Sequence, residues 1–412
     1  MFARLPSLAA RRVRLSKVLN RSWSSFTLGD SALTIDALNN TSFPYVWLRD
    51  SCQSAECVHP TTSQKLHQSS DIPFDIKPII VQLIDEKSID PGFRIQWQDG
   101  HVSSFSRSFL ERHISLDNLA KFHKDPPEKL WNKQTISSSD GLFLGYGDLK
   151  NPEGLSKAID QLYQYGLVFI RAVPNTETHF DRCELRKLVS IFGYVRETFY
   201  GKFWNVVNTN SQNIAYTNLK LDLHMDLMSF ESPPRYQILH CIRNRVEGGT
   251  SVFVDGFHAA AHLRSTNQSA FDLLASTPVP FQYIYDGHHI HYEHPTIELD
   301  PVSPGAIKYV NYAPPFQGPL HLSTSLEFYS ALKAFDGLLH KPDNVYRYRL
   351  EEGDAVIFDN RRVLHARTAF QERKIAGEVG QADDGPKRWL QGCYFESETP
   401  WSRGRMLRSK EC

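Results

Sequence analysis

Four histidines stand two residues before an acid: His123/Asp125, His179/Asp181, His224/Asp226 and His291/Glu293. Two imidazoles and one carboxylate on one face of a metal make the facial triad of a non-haem Fe(II) centre. Such a centre keeps three positions open for a bidentate cosubstrate and O2. With 17 histidines, chance alone supplies about one His-x-Asp, so the tripeptide is weak by itself and context decides. His123 sits beside a Pro pair. His179 lies in a helix-like stretch, where positions i and i+2 diverge. His224 lies in KLDLHMDL, where strand alternation sends His224 and Asp226 to one side. The bland reading of that pair is a hydrogen-bonded core pair. His365, in FDNRRVLHARTAF, is the candidate for the distant second imidazole, and Arg388 follows 23 residues on in KRWLQGCYF. An Arg there suits the far carboxylate of a dicarboxylate that chelates the metal at its other end, although a lone Arg is more often a surface charge.

Those residues need rigid elements to hold them. Residues 30–115 read as short strands with turn punctuation, and WQDGH carries a D-G hairpin signal, which makes a small N-terminal β-rich domain. Residues 116–140 are polar with a Pro pair and read as a linker. From 141 to 412 helices at NPEGLSKAIDQLYQYG and Glu177–Phe192 alternate with many short strands. This pattern predicts a mainly β fold, a jelly roll (double-stranded β-helix) with peripheral helices, rather than a parallel α/β sheet.

Together these stretches resemble the gamma-butyrobetaine and trimethyllysine dioxygenases of carnitine synthesis. VWLRDSC, TFYGKFW, AYTNLKLDLHMD, ILHCI, VDGF and FDNRRVLHAR carry the resemblance, which covers roughly residues 30–405. The resemblance implies Fe(II), 2-oxoglutarate, O2 and ascorbate support, an N-terminal zinc-binding domain and a homodimer. It implies iron ligands at His224, Asp226 and His365. Arg388 matches the 2-oxoglutarate binder, assisted by the hydroxyl of Ser251 or its neighbour Thr250. Cys52, Cys57 and His101 match three zinc ligands. Ser54 stands where some members carry a middle Cys, so the fourth donor is left open among His59, His67 and water, or the site is empty. Two Cys five apart are, on their own, more often small core residues.

A quaternary ammonium has no N–H and is held by aromatic faces. Tyr200, Trp204, Tyr216 and Tyr394 match the trimethylammonium cage of the gamma-butyrobetaine enzymes, against the general reading of such aromatics as core. Asn213 occupies the position that the resemblance gives as Asn in the gamma-butyrobetaine enzyme and Asp in the trimethyllysine one. Asn311, in the segment YVNYAPP that departs from the patterns of both enzymes, is a further candidate substrate contact. The expected reaction is hydroxylation of gamma-butyrobetaine to L-carnitine. The alternatives are trimethyllysine hydroxylation, a non-catalytic zinc-stabilised binding protein, and a metallohydrolase, which would need neither the distal Arg nor 2-oxoglutarate.

The composition agrees. The chain has 412 residues, 41% hydrophobic and 22% charged, which suits a large packed core. Its 46 basic residues balance 46 acidic ones, so no overall field draws nucleic acid. No apolar run reaches the length of about 20 that a membrane span needs. Six scattered cysteines are no disulfide framework. Residues 1–29 carry Arg4, Arg11, Arg12, Arg14, Lys17 and Arg21 and no acid, the composition of a mitochondrial transit peptide.

Overall fold

The computed structural model describes residues 23, 25–84, 87, 89–208, 214–285, 287–372 and 385–410. The chain divides into two compact units, Met1–His123 and Lys124–Cys412.

In the first unit, strands Phe26–Leu28, Ala32–Ile35 and Thr41–Pro44 form one antiparallel sheet, and Pro78–Ile84, Gly92–Trp97 and Val102–Ser106 another. Strand Gly92–Trp97 buries alternate residues, Phe93, Ile95 and Trp97, as a period of two requires. The D-G turn closes its hairpin. Gly100 takes a φ of +85°, which a residue with a Cβ rarely adopts, and Trp97 N–H donates to the His101 carbonyl. Trp23 is buried in this core, and Phe26 packs edge-on to Phe93. The leader predicted over residues 1–29 therefore overruns folded structure. Residues 1–22, with all six of its basic side chains, lie outside the described residues.

The second unit is a sandwich of two sheets. The larger runs, in spatial order, Trp204–Val207, Arg388–Phe395, Tyr236–Asn244, Ala355–Asp359, Leu167–Arg171 and Phe143–Gly145, with Val195–Arg196 paired to the second of these. The smaller runs Leu221–His224, Val363–Arg367, Ser251–Asp255 and Tyr346–Tyr348. The faces meet through apolar residues such as Phe169, Phe253 and Phe358. Phe253 packs edge-on to both others at 5.7 Å between ring centroids. This is the jelly roll that the strand pattern predicts. Helices Pro152–Tyr165, Glu184–Phe192 and Glu398–Lys410 pack with the outer face of the larger sheet. Helices Gly256–Thr266, Gln268–Ser276 and Leu326–Leu339 pack with the smaller one.

The stretch 116–140 is more structured than a linker. It holds helices Leu116–Phe122 and Lys133–Ser137. Trp131 is fully buried, its backbone N–H donating to Asp255 Oδ2 at 2.9 Å and its indole N–H to the Tyr165 carbonyl at 2.7 Å. The predicted helix at Glu177 begins only at Glu184.

Helix Pro152–Tyr165 opens with Pro at its first turn and ends at Gly166, left-handed at φ +70°. A Cβ there would stand 3.0 Å from Val363, at the start of the strand that carries His365. Gly166→Ala should thus lower stability by about 1–2 kcal/mol, read as a Tm several degrees below wild type in a thermal melt. An unchanged Tm would show that the turn relaxes without strain.

Candidate functional site

Strand Leu221–His224 pairs antiparallel with Val363–Arg367, and His224 stands directly opposite His365. The two rings lie 4.1 Å apart between centroids. His224 ends its strand, so Asp226 is not placed by strand alternation as its sequence predicts. Met225 is buried, Leu227 adopts a φ of +60°, and the chain turns away. Asn360 fixes this turn. Its fully buried side chain accepts the Asp226 N–H at 2.8 Å and donates to the Asp226 carbonyl at 3.0 Å and the Pro234 carbonyl at 3.1 Å. The neighbours of Asn360 anchor it. Asp359 pairs with Arg235 at 2.6 Å, and Arg362 makes a two-point ion pair with buried Asp255 at 2.9 and 3.0 Å.

One donor atom from each of His224, Asp226 and His365 lies within 4.8 Å of the others. Asp226 Oδ1 is 3.4 Å from His224 Nε2, and Oδ2 is 4.0 Å from His365 Nε2. His224 Nδ1–H donates to the Asp222 carbonyl at 2.8 Å, which leaves the Nε2 lone pair facing inward. Burial, reinforced by His224, pushes His365 down to about 3, so the ring stays neutral. Burial alone would raise the Asp226 carboxyl. His224, His365 and the Tyr394 hydroxyl, which donates to Oδ2 at 2.8 Å, outweigh it and hold the carboxyl well below its usual range. Two imidazole nitrogens and one carboxylate oxygen, already converged, fit a divalent metal.

The cavity beside them is lined by Tyr200, Trp204, Tyr216 and Tyr394, together with Ser251, Gln237, Arg367 and Arg388. Trp204 and Tyr394 lie 4.2 Å apart between centroids. Arg388 is 5% exposed, and its guanidinium makes no hydrogen bond or ion pair among the described residues. Burial, then Arg367, pushes it down to about 10, still a cation at neutral pH. A buried cation without an anion fits a ligand carboxylate.

Other sequence candidates fall elsewhere. Thr250 is not among the cavity-lining residues, and its backbone pairs with Thr368. Asn311 is spent on structure: its amide donates to the Pro295 carbonyl and accepts from Arg361, so it cannot serve as a substrate contact. Asn213 lies outside the described residues. Asp125 pairs with Arg405, His179 and Asp181 are exposed, and Glu293 pairs with His321. Asn360, Gln237 and Arg367 were missed. Asn360 and Arg367 lie inside the FDNRRVLHAR stretch but act on backbone, which no side-chain pattern announces.

In the first unit, Cys52 Sγ and Cys57 Sγ lie 3.2 and 3.4 Å from His101 Nε2. Burial would raise the Cys52 thiol, but hydrogen bonds from Ser103, Ser54 and His101 bring it down to about 7. Glu56 stands 3.2 Å from the other nitrogen of His101 and orients the ring. The converged donor group among the described residues is Cys52, Cys57 and His101, and it includes neither His67, which pairs with Asp50, nor His59, which accepts from the Thr62 N–H.

The family described as taurine catabolism dioxygenase TauD, TfdA family matches residues 139–394. The chain belongs to that family. As a TauD/TfdA dioxygenase it depends on 2-oxoglutarate and iron, and it carries at residues 30–111 the gamma-butyrobetaine hydroxylase-like N-terminal domain. It is 47% identical over 395 residues to "Dioxygenase str8" of Strobilurus tenacellus, covering 95% of this chain and 91% of that one. The gamma-butyrobetaine dioxygenase of Pseudomonas sp. (strain AK-1) is 31% identical over 397 residues, covering 94% and 96%. The mitochondrial trimethyllysine dioxygenase of Rattus norvegicus is 30% identical over 373 residues, covering 89% and 82%.

For this TauD/TfdA dioxygenase, Asn360→Ala should weaken binding of Fe(II), or of Co(II) as its probe, by about 10- to 100-fold, with the fold intact by circular dichroism. Tyr394→Phe, which keeps the ring and loses the donor to Asp226, should weaken it less. Wild-type metal affinity in Asn360→Ala would show that the turn holds Asp226 without it.

Proposed function

We propose that the protein hydroxylates gamma-butyrobetaine to L-carnitine. His224, Asp226 and His365 hold iron(II), and Arg388 takes the far carboxylate of 2-oxoglutarate with help from Ser251. When bound, iron(II) and 2-oxoglutarate supply the O2-dependent oxidation that yields succinate, CO2 and a hydroxylated substrate. The chain positions the reactants. Arg388 fixes the cosubstrate's reach to the metal, and the aromatic side chains set which substrate C–H faces it. A displacement of about 1 Å there could cost on the order of a hundredfold in rate.

The observation that carries the substrate is the cavity's charge. Four aromatic side chains suit a trimethylammonium head. Apart from Asp226, no carboxylate stands among the described lining residues, while Arg367 and Arg388 are cationic. Trimethyllysine would bring a second ammonium into this cavity without a partner; gamma-butyrobetaine brings only a carboxylate. The 47% identical relative names no substrate, so the choice rests on this chain's own residues. Cys52, Cys57 and His101 hold zinc on this reading, with the fourth position left to water. The basic, acid-free leader directs the protein to mitochondria and is cleaved before Trp23.

The test is succinate formation, followed by NMR, with gamma-butyrobetaine and trimethyllysine offered separately. Faster turnover with gamma-butyrobetaine is expected; preference for trimethyllysine, or for neither, overturns the substrate. Trp204→Leu should raise the KM for gamma-butyrobetaine about tenfold, and Arg388→Met should raise the KM for 2-oxoglutarate by a comparable or larger factor. Metal analysis should find one zinc per chain, lost in Cys57→Ser; wild-type protein without zinc contradicts that part.

A further inference from the structure

The cavity holds two buried arginines, and their partners differ. Arg388 has no hydrogen-bonding partner among the described residues. Both terminal nitrogens of Arg367 are occupied by the protein itself, while its Nε has no hydrogen-bond partner among the described residues. Nη1 donates to the Ala215 carbonyl at 3.0 Å, and Nη2 donates to the carbonyls of Thr217 and Leu219 at 2.7 and 2.8 Å. Three alternate carbonyls of one short segment thus converge on one planar fork, a geometry that a lysine point charge does not reproduce. The Phe370 N–H adds a bond to the Asn218 carbonyl at 3.1 Å, and the Phe370 ring lies 5.0 Å beneath Arg367. Segment 214–220 is otherwise a single short 3-10 turn, Ile214–Tyr216, followed by irregular chain. Such a segment has little order of its own. It carries Tyr216, an aromatic wall of the cavity, and leads into the strand that ends at His224. Arg367 itself sits two residues after His365 on the partner strand.

We propose that Arg367 is a specificity-positioning residue: it holds segment 214–220 on the strand bearing His365 and so presents Tyr216 to the substrate. This rests on the aromatic-box reading above. Its chemistry is a cation bound to backbone oxygens, not to a ligand, and this separates it from Arg388. A side chain that merely supported the fold would move the Tm and both Michaelis constants together. Arg367 should move one.

The experiment compares iron-loaded wild type with Arg367→Lys, which keeps the charge and loses the fork. Hydrogen exchange followed by mass spectrometry should show peptides covering 214–220 exchanging roughly tenfold faster, the equivalent of losing about one net hydrogen bond. Strand Ser251–Asp255 should stay protected. The KM for gamma-butyrobetaine should rise about tenfold, while that for 2-oxoglutarate stays within about twofold. Tyr216→Leu should cost less in the Arg367→Lys background than alone, because both act on one contact. Should Arg367→Lys fold poorly, Arg367→Gln serves the same comparison. Unchanged exchange at 214–220 overturns the proposal. So does a rise in the 2-oxoglutarate KM alone, which would make Arg367 a cosubstrate contact. The exchange arm needs no substrate, so it decides even if gamma-butyrobetaine proves to be the wrong one. In that case whichever substrate drives turnover takes its place in the KM comparison.

Discussion

The site depends on a strand register. His224 faces His365 across an antiparallel pair, and a slip of one residue would turn one imidazole out of the cavity, because strand side chains alternate with a period of two. Ring and backbone contacts hold the pair in that register. Phe358 packs against His365 with the rings tilted at 46° and 4.7 Å between centroids, and His365 also pairs across to Phe253 on its other side. The third donor has no strand to hold it, and Asn360 replaces the strand by gripping the Asp226 backbone from both sides.

Around this core the cavity divides its polar work by burial and partner. Asp226 is the one carboxylate among the described lining residues, and the imidazoles and Tyr394 keep it ionised. His365 is kept neutral by its burial and by His224, so its lone pair stays available. Tyr394 joins the two halves of the site: its ring lies against Trp204 while its hydroxyl donates to Asp226. A ligand packing on that ring touches the side chain that steadies the metal-facing carboxylate. The two arginines show that residue type alone does not set a role, since one donates through both terminal nitrogens to backbone oxygens and the other makes no hydrogen bond among the described residues.

Much of this was legible in the sequence because it is written in side-chain types. The alternating short strands gave away the sandwich, and the D-G turn its hairpin. His224, Asp226, His365 and Arg388, with the four aromatic residues, point to chemistry through what their side chains can do, and all of them line one cavity. What stayed hidden is whatever acts on backbone or depends on a neighbour's position. Asn360 and Arg367 bond to main-chain atoms far away in sequence, so their neighbours in the chain carry no trace of the contact. Asn311 was a candidate substrate contact, but Arg361 and the Pro295 carbonyl use both ends of its amide. The stretch 116–140 read as a linker from its prolines and charges, yet Trp131 anchors its second half through burial and two hydrogen bonds, and Ile136 is buried beside it in the same core.

The central claim is that two imidazoles and one carboxylate converge on one divalent ion beside an aromatic cavity. Anomalous diffraction from crystals grown with Mn(II) in place of iron tests it most directly. The account predicts one strong peak within bonding distance of His224 Nε2, His365 Nε2 and one oxygen of Asp226. A peak that omits any of these three, or an ion bound elsewhere in the second unit while the three remain unligated, would contradict it.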